Sequence, residues 1–360
     1  MRPSSTEVAL LRDLVAIPSV SGDEDAVARF AEDTARGAGL DVVRDASGVK
    51  VHVRGKRRGP TLALVTHLDV VPPGDGWTRD PFTPVLADGR LYGRGSGDAK
   101  ASVAAMLAAA QDVAEHGGPA AGRLLVILGH GEETRNTSMP EAIAGVGDIT
   151  AAVVGEPTNL DIAVAQRGLM MVDLVAHGEQ RHAGNAEPNG GGDGFVNATQ
   201  VLARDLVALR GIARDRRHPI LGFPTITPTM LEAGVGRNVT PPTAKAVLDV
   251  RSTPSWPHHD LADALREALE SEVVVTSDRL VPCETPEGST LLAAARRVRP
   301  AAKTFGSPTC SDWVFLRDRD AIKCGPGTSR NSHTPDEWVL LEEVTAARDF
   351  YGRLALEYLA

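Results

Sequence analysis

The sequence predicts an α/β protein: a mixed, largely parallel sheet with flanking helices, interrupted by an inserted α+β sandwich. Three observations predict it. Short apolar runs at 61–65, 123–128 and 151–154 alternate with stretches of helical spacing. The region 168–280 changes to a strand–helix–strand–strand–helix–strand order. The chain of 360 residues is longer than one core usually organises. The expected division is 1–167 with 281–360 as one domain and 168–280 as the other.

Taken in order, residues 5–15 and 23–39 carry apolar positions at helical spacing, with Ser21-Gly22-Asp23 as a cap between them. Strands are expected at 40–43, 49–53 and 61–65. The last is continuously apolar, as a strand buried on both faces must be. An Ala-rich helix follows at 99–115, then apolar strands at 123–128 and 151–154. In 168–177, Met170, Val172, Leu174 and Ala176 alternate with other residues, a half-buried strand. A Gly-rich loop at 189–194 precedes a helix at 195–210. Strands at 225–233 and 245–251, a helix at 258–271 and a strand at 273–277 complete the insert. A helix at 289–298, a strand at 321–324 and a helix at 342–358 resume the first domain.

Composition narrows the function. A net charge of −9 argues against nucleic acid, which needs a basic face to neutralise phosphates. Cys283, Cys310 and Cys324 are too few and too dispersed for a disulfide framework or a thiolate zinc site, and they fit a reducing compartment. The first residues lead into an amphipathic helix and not an apolar signal core. No apolar run approaches the roughly 20 residues of a membrane span. The expectation is a cytoplasmic enzyme with no membrane partner.

Metal-ligating residue types recur at strand ends. They are His67 and Asp69 in Thr-His-Leu-Asp, Asp98 in Gly-Asp-Ala-Lys, Glu132 and Glu133 in Gly-Glu-Glu-Thr, Glu156 in Gly-Glu-Pro-Thr, and His333 in Asn-Ser-His-Thr-Pro. Two imidazoles with several carboxylates suit a pair of zinc-like ions, and such a pair points to hydrolysis. Ligands of open α/β sheets lie outside the carboxyl ends of strands, where these residues fall. Asp69, two residues from His67 on extended chain, can fix its second ring nitrogen. Asp98 alone reads as a helix N-cap; as a ligand, it can offer one oxygen to each of two ions. Glu132 and Glu133 point apart, so one can ligate while the other serves as general base. Singly, each of these residues also fits a plain turn or loop. Five suitable positions in one chain weaken that reading.

Read as an ordered set, these motifs make the chain resemble the zinc-dependent amidohydrolase and exopeptidase family of acetylornithine deacetylase, succinyl-diaminopimelate desuccinylase, aminoacylase and carboxypeptidase G. His67-Leu-Asp69, Asp98-Ala-Lys100, Glu132-Glu133, Glu156-Pro-Thr and Gly325-Pro-Gly…His333-Thr-Pro-Asp-Glu occur in family order, nearly end to end. The resemblance implies a zinc-exopeptidase-like fold. It implies that His67 and Glu156 hold one zinc and Glu133 and His333 the other, with Asp98 bridging. Asp69 would orient His67, and Glu132 would be the general base. It implies a lid and dimerisation role for the insert, hence a homodimer, with His182 as an oxyanion donor. Asn238 and Arg251 match positions that contact a substrate carboxylate; Arg suits that by bidentate pairing. Zinc is the default ion, and cobalt and manganese accept the same donors.

The stretches 305–313 and 323–333 are most similar in style to acetylornithine deacetylase. The implied substrate is a small N-acyl amino acid, N-acetylornithine first. Ser311 and Asp312 are candidate contacts for a basic side chain. Two further readings stand beside this one. A dipeptidase or aminopeptidase would need an anionic group for a free α-amine. A non-catalytic metal-binding homologue would have no need of the spare acid Glu132. The chain departs from the family pattern at Ala101, at Thr134–Ser138, at Glu179 and in the longer loop after His182.

Overall fold

The computed structural model describes residues 6–185 and 195–360. The expected Gly-rich loop at 189–194, and Ser5 at the head of the first expected helix, lie outside the described residues. The chain divides into two units. One comprises Met1–Val164, Glu284–Phe305 and Ser311–Ala360; the other comprises Ala165–Cys283 and Gly306–Cys310.

In chain order the elements are α1 (Thr6–Val15), α2 (Asp25–Gly37), β1 (Asp41–Asp45), β2 (Gly48–Arg54), β3 (Thr61–His67), β4 (Val85–Ala87), β5 (Arg90–Tyr92), α3 (Lys100–Glu115), β6 (Arg123–Gly129), α4 (Ser138–Gly145), β7 (Ala151–Val154) and β8 (Ile162–Gln166). Then come β9 (Leu169–His177), α5 (Ala198–Ala208), β10 (Thr225–Ala233), β11 (Thr243–Arg251), α6 (His258–Ala268), β12 (Glu272–Leu280) and β13 (Cys283–Glu284). The chain closes with α7 (Thr290–Val298), β14 (Thr304–Ser307), β15 (Asp320–Lys323), β16 (Trp338–Leu340) and α8 (Leu341–Tyr358).

In the first unit the sheet runs β1-β2-β6-β3-β7-β15. β3 pairs parallel with both β6 and β7, and β7 pairs parallel with β15. Every residue of β3 is buried, which explains its unbroken apolar run. The register sets His67 opposite Gly129, and Val154 opposite both Val65 and Lys323. Four parallel strands therefore end at one edge, and the chain leaving each carries a candidate ligand. Helix α3 packs against α1 and α8. Its alanines allow close approach: Gly352 of α8 would place a Cβ only 3.9 Å from that of Ala109.

A small sheet ordered β16-β5-β4 holds Trp338 opposite Tyr92. The sequence reading did not anticipate these three strands or α4. They are two-to-three-turn or three-residue pieces, too short for a periodic signal.

The second unit is an antiparallel sheet ordered β10-β11-β9-β12, with α5 and α6 packed on it. Met170, Val172, Leu174 and Ala176 are its buried alternate positions. Asn197 caps α5, accepting from the Thr199 N–H at 3.0 Å, so that helix starts later than 195. Gly306–Cys310 clusters with this unit, although sequence reading assigned it to the other domain. The Arg167 N–H donates to the Ser307 carbonyl at 3.1 Å, a pairing that sequence distance conceals.

Helices α1, α3 and α8 share a charged joint. Arg348 donates to Glu7 at 2.7 Å and to both oxygens of Asp112 at 2.6 Å, and Glu7 is fully buried. Arg348→Ala removes the cation facing a buried carboxylate, so a loss of about 3 kcal/mol is expected in urea unfolding. A loss below about 1 kcal/mol would mean that the joint behaves as an exposed pair.

Candidate metal centre

His67 is the last residue of β3 and is 1% exposed. Its Nδ1 lies 3.0 Å from the main-chain oxygen of Asp69, an acceptor only. In its neutral form the ring therefore carries its proton on Nδ1 and turns Nε2 outward as a lone-pair donor. That Nε2 stands 3.4 Å from Asp98 Oδ1 and 3.8 Å from Glu156 Oε1. Asp98 Oδ2 lies 3.6 Å from His333 Nε2, which is 3.0 Å from Glu133 Oε1. Two imidazole–carboxylate groups thus share the Asp98 carboxylate between them. One donor atom each from His67, Asp98 and Glu133 lies within 4.8 Å of the others.

These separations fit cations. Four donors at ~2.0–2.2 Å around a tetrahedral ion stand about 3.3–3.6 Å apart. The Glu156 Oε1 atom is buried without a hydrogen-bond partner, a costly state for an acceptor that a bound ion would relieve.

Electrostatics agree. Burial alone would lower the His67 basicity, but Asp69 and Asp98 outweigh it and hold the imidazolium well above its usual range. Burial and the Asp98 charge push Glu156 up to about 8. Burial and the Glu156 charge push Glu132 well up as well. Without cations, protons occupy the site that the carboxylates form.

The Asp69 carboxylate does more than the sequence reading assigned. Its oxygens accept the N–H groups of Glu132 and Glu133, each at 3.0 Å, and the Ser21 hydroxyl at 2.7 Å. One aspartate thus fixes His67 through its backbone and the Glu pair through its side chain. Glu337 plays a similar part for Asp98. It is 1% exposed and accepts from the N–H groups of Gly95, Gly97 and Asp98 at 3.1, 2.9 and 3.0 Å, and from Arg94 at 2.6 Å. The peptide bond Asp98–Ala99 is cis. In the sequence Glu337 closes the His333-Thr-Pro-Asp-Glu motif. An acid beside a β-prone Trp-Val-Leu run was the available signal. Ser21 was read as part of a helix cap, but its hydroxyl serves Asp69.

Asp312 is 2% exposed and accepts from Asn136 Nδ2 at 3.3 Å. It is packed into the structure beyond a turn and is one of the charges that raise Glu132 and Glu156. The remaining three residues belong to the second unit. His182 is exposed, and its Nδ1 accepts the Gly184 N–H at 3.1 Å. The Asn238 carbonyl accepts the Ala183 N–H at 2.7 Å. Arg251 holds both oxygens of Asp249, at 2.8 and 3.0 Å.

Residues 63–357 match peptidase family M20/M25/M40. The chain belongs to that family. It is accordingly an enzyme of a metal-binding hydrolase family, and the family resemblance read from the motifs holds. Among curated relatives, a succinyl-diaminopimelate desuccinylase from Cereibacter sphaeroides is 31% identical over 98% of this chain and 99% of its own. A protein of the same name from Methylorubrum populi is 29% identical over 98% of both chains. The solved aminopeptidase PepT from Bacillus cereus superposes with a TM-score of 0.81 at 18% identity, covering 99% of each chain. A dinuclear metal binding peptidase of the M20 family from Bacillus subtilis gives 0.73 at 16% identity, covering 97% of this chain and 96% of its own. These likenesses show that the fold is of the expected class. Among the described residues, no helix is long and apolar enough to cross a membrane.

The site's protons give the metal-free protein a definite pH dependence. The folded Glu156 keeps a proton that the unfolded chain releases, so its contribution is full below about 4.3 and is lost as pH rises to about 8. The raised His67 acts in the same direction: its stabilisation is full below about 6.5 and lost above. The melting temperature in chelator should therefore fall between about pH 5 and about pH 8, and zinc should abolish the fall by displacing the protons. Calorimetry with and without zinc checks this. A metal-free melting temperature that rises over that window would contradict the arrangement.

Proposed function

We propose that the protein hydrolyses the amide bond of a small N-acyl amino acid, releasing the acyl carboxylate and the free amino acid. The single observation carrying this reading is the pair of imidazole–carboxylate groups joined at Asp98, with Glu132 on the adjoining turn. In this reading His67 and Glu156 would hold one divalent ion and Glu133 and His333 the other, with Asp98 between the two pairs. Zinc is the ion proposed, on the chemistry of the donors. The ions supply charge that polarises the acyl carbonyl and acidifies water.

The side chains do the rest. Glu132 accepts the proton of the attacking water as the new C–O bond forms. It then returns that proton to the amide nitrogen as the C–N bond breaks. Burial and the neighbouring carboxylate charges raise its pKa, which favours the return step. Asp69 holds the backbone from which Glu132 projects. His182 is proposed as an oxyanion donor, and Asn238 and Arg251 as contacts for the substrate carboxylate. The bidentate pair with Asp249 leaves Arg251 further N–H donors for a second carboxylate.

The substrate class rests on two supports that point to neighbouring acyl groups. The motif style of 305–313 and 323–333 favours N-acetylornithine. The names of the relatives favour an N-succinyl amino acid. We expect zinc- or cobalt-loaded enzyme to release amine from acetyl- or succinyl-amino acids in preference to dipeptides. Glu132→Gln should lower kcat by about 10²–10⁴-fold with both metals retained. Preference for dipeptides would move the reading to a peptidase. An unchanged kcat in the variant would remove Glu132 from the chemistry.

We also propose that the second unit pairs two copies of this chain. Its strand β10 lies at a sheet edge, where a strand partner can add, and exposes Met230 and Leu231 at 66% and 65%. Light scattering should give twice the mass of one chain, and Leu231→Lys should halve it. A monomeric wild-type protein at micromolar concentration would refute the pairing.

A further inference from the structure

The segment that joins α1 to α2 passes close to the candidate ligands from end to end. Lys100, fully buried two residues beyond Asp98, donates to the carbonyls of Leu14 at 3.0 Å and Ile17 at 2.7 Å. The Ser19 hydroxyl donates to the Leu68 carbonyl at 2.9 Å, and the Val70 N–H donates to the Ser19 carbonyl at 2.9 Å. Val20 and Val70 form an isolated parallel bridge. Ser21 then reaches the Asp69 carboxylate. Last comes Glu24, 7% exposed, whose Oε1 accepts the Gly131 N–H at 3.1 Å and the Gly22 N–H at 2.9 Å.

Glu24 occupies the N-cap position of α2, where an acid ordinarily accepts from its own helix. Its side chain makes no capping hydrogen bond there. Its carboxylate is directed instead to Gly131, the residue before the Glu pair. Gly131 has φ +64 and starts a tight turn, its carbonyl accepting the N–H of Asn136 at 2.8 Å and of Arg135 at 3.2 Å. Three consecutive amides are thereby held by two carboxylates: Gly131 by Glu24, then Glu132 and Glu133 by Asp69. These three bonds add to those of the Gly131 carbonyl in fixing the direction in which the two acids leave the turn, at a left-handed glycine whose own conformational freedom is large.

We infer that Glu24 is a positioning residue for Glu132 and Glu133: its Oε1, supported by the Gly22 amide, anchors the Gly131 amide and so aims the pair. The inference rests on the roles proposed above for those two acids. The bond needs an acceptor oxygen and not a charge, so Gln can replace Glu and Ala cannot.

The test compares full-length wild type, Glu24→Gln and Glu24→Ala. Cobalt affinity is read from visible absorption in the absence of substrate, kcat and KM are measured at saturating cobalt, and melting is followed in chelator. Glu24→Ala should bind cobalt about 10–100-fold more weakly and lose kcat by a similar factor with KM little changed. Glu24→Gln should restore both. Should the alanine variant not fold, Glu24→Asp, one methylene too short to reach, should show the same two losses. Wild-type cobalt affinity and kcat in the alanine or aspartate variant would overturn the inference, as would a glutamine variant as impaired as alanine. Because cobalt affinity needs no turnover, a wild-type enzyme inactive on every N-acyl amino acid would refute the proposed function and leave this comparison decisive.

Discussion

Carboxylates crowded at one sheet edge are the constraint on which the first unit depends. Asp69, Asp98, Glu132, Glu133, Glu156 and Asp312 all lie about the ends of β3, β6, β7 and β15, most of them shielded from water. Like charges in such a place repel strongly unless protons, cations or hydrogen-bond donors compensate. The structure uses donors for one set and leaves the others open. Asp69 and Glu337 each accept several backbone N–H groups, which hold the two carboxylates rigid. Asp98, Glu133 and Glu156 face imidazole nitrogens across gaps of 3.0–3.8 Å, and are the candidate cation ligands.

This partition explains the architecture around the site. Parallel pairing aligns strand ends to within two residues, so the chain leaves four separate strands at one edge. Rigid elements then carry the donors, and short polar clamps fix the last few degrees. The N-terminal segment contributes Ser19, Ser21 and Glu24 to this clamp, and the small β4–β5–β16 sheet contributes Glu337. Neither looks functional by position, yet each holds a backbone from which a ligand projects.

Much of this was legible in the sequence. The apolar runs placed β3, β6 and β7, because a strand buried on both faces has no polar alternation to obscure it. The residues just beyond those runs gave the candidate donors: each singly fits a plain turn or loop, and it was their recurrence at five positions that pointed to a site. The alternation in 169–177 announced a sheet covered on one face. Much of what was not legible has one physical cause: the partner lies far along the chain. Asp69 meets the amides of Glu132 and Glu133 across more than sixty positions, Glu337 meets Asp98 across more than two hundred, and Ser307 meets Arg167 in the second unit. The start of α5 drifted by a few residues because the Asn197 cap decides it locally.

The sequence by itself determined which chemistry is available: two imidazoles, a set of carboxylates, no thiolate cluster and an α/β frame with an insert. These follow from side-chain type and from the period of burial, which are local properties. Only the tertiary structure decided that Asp98 stands between both imidazoles, that Glu156 keeps an oxygen without a hydrogen-bond partner, and that Asp69 and Glu24 serve the Glu132–Glu133 turn. Those facts depend on strand register and on contacts between distant segments, and no local pattern of residues encodes a distance.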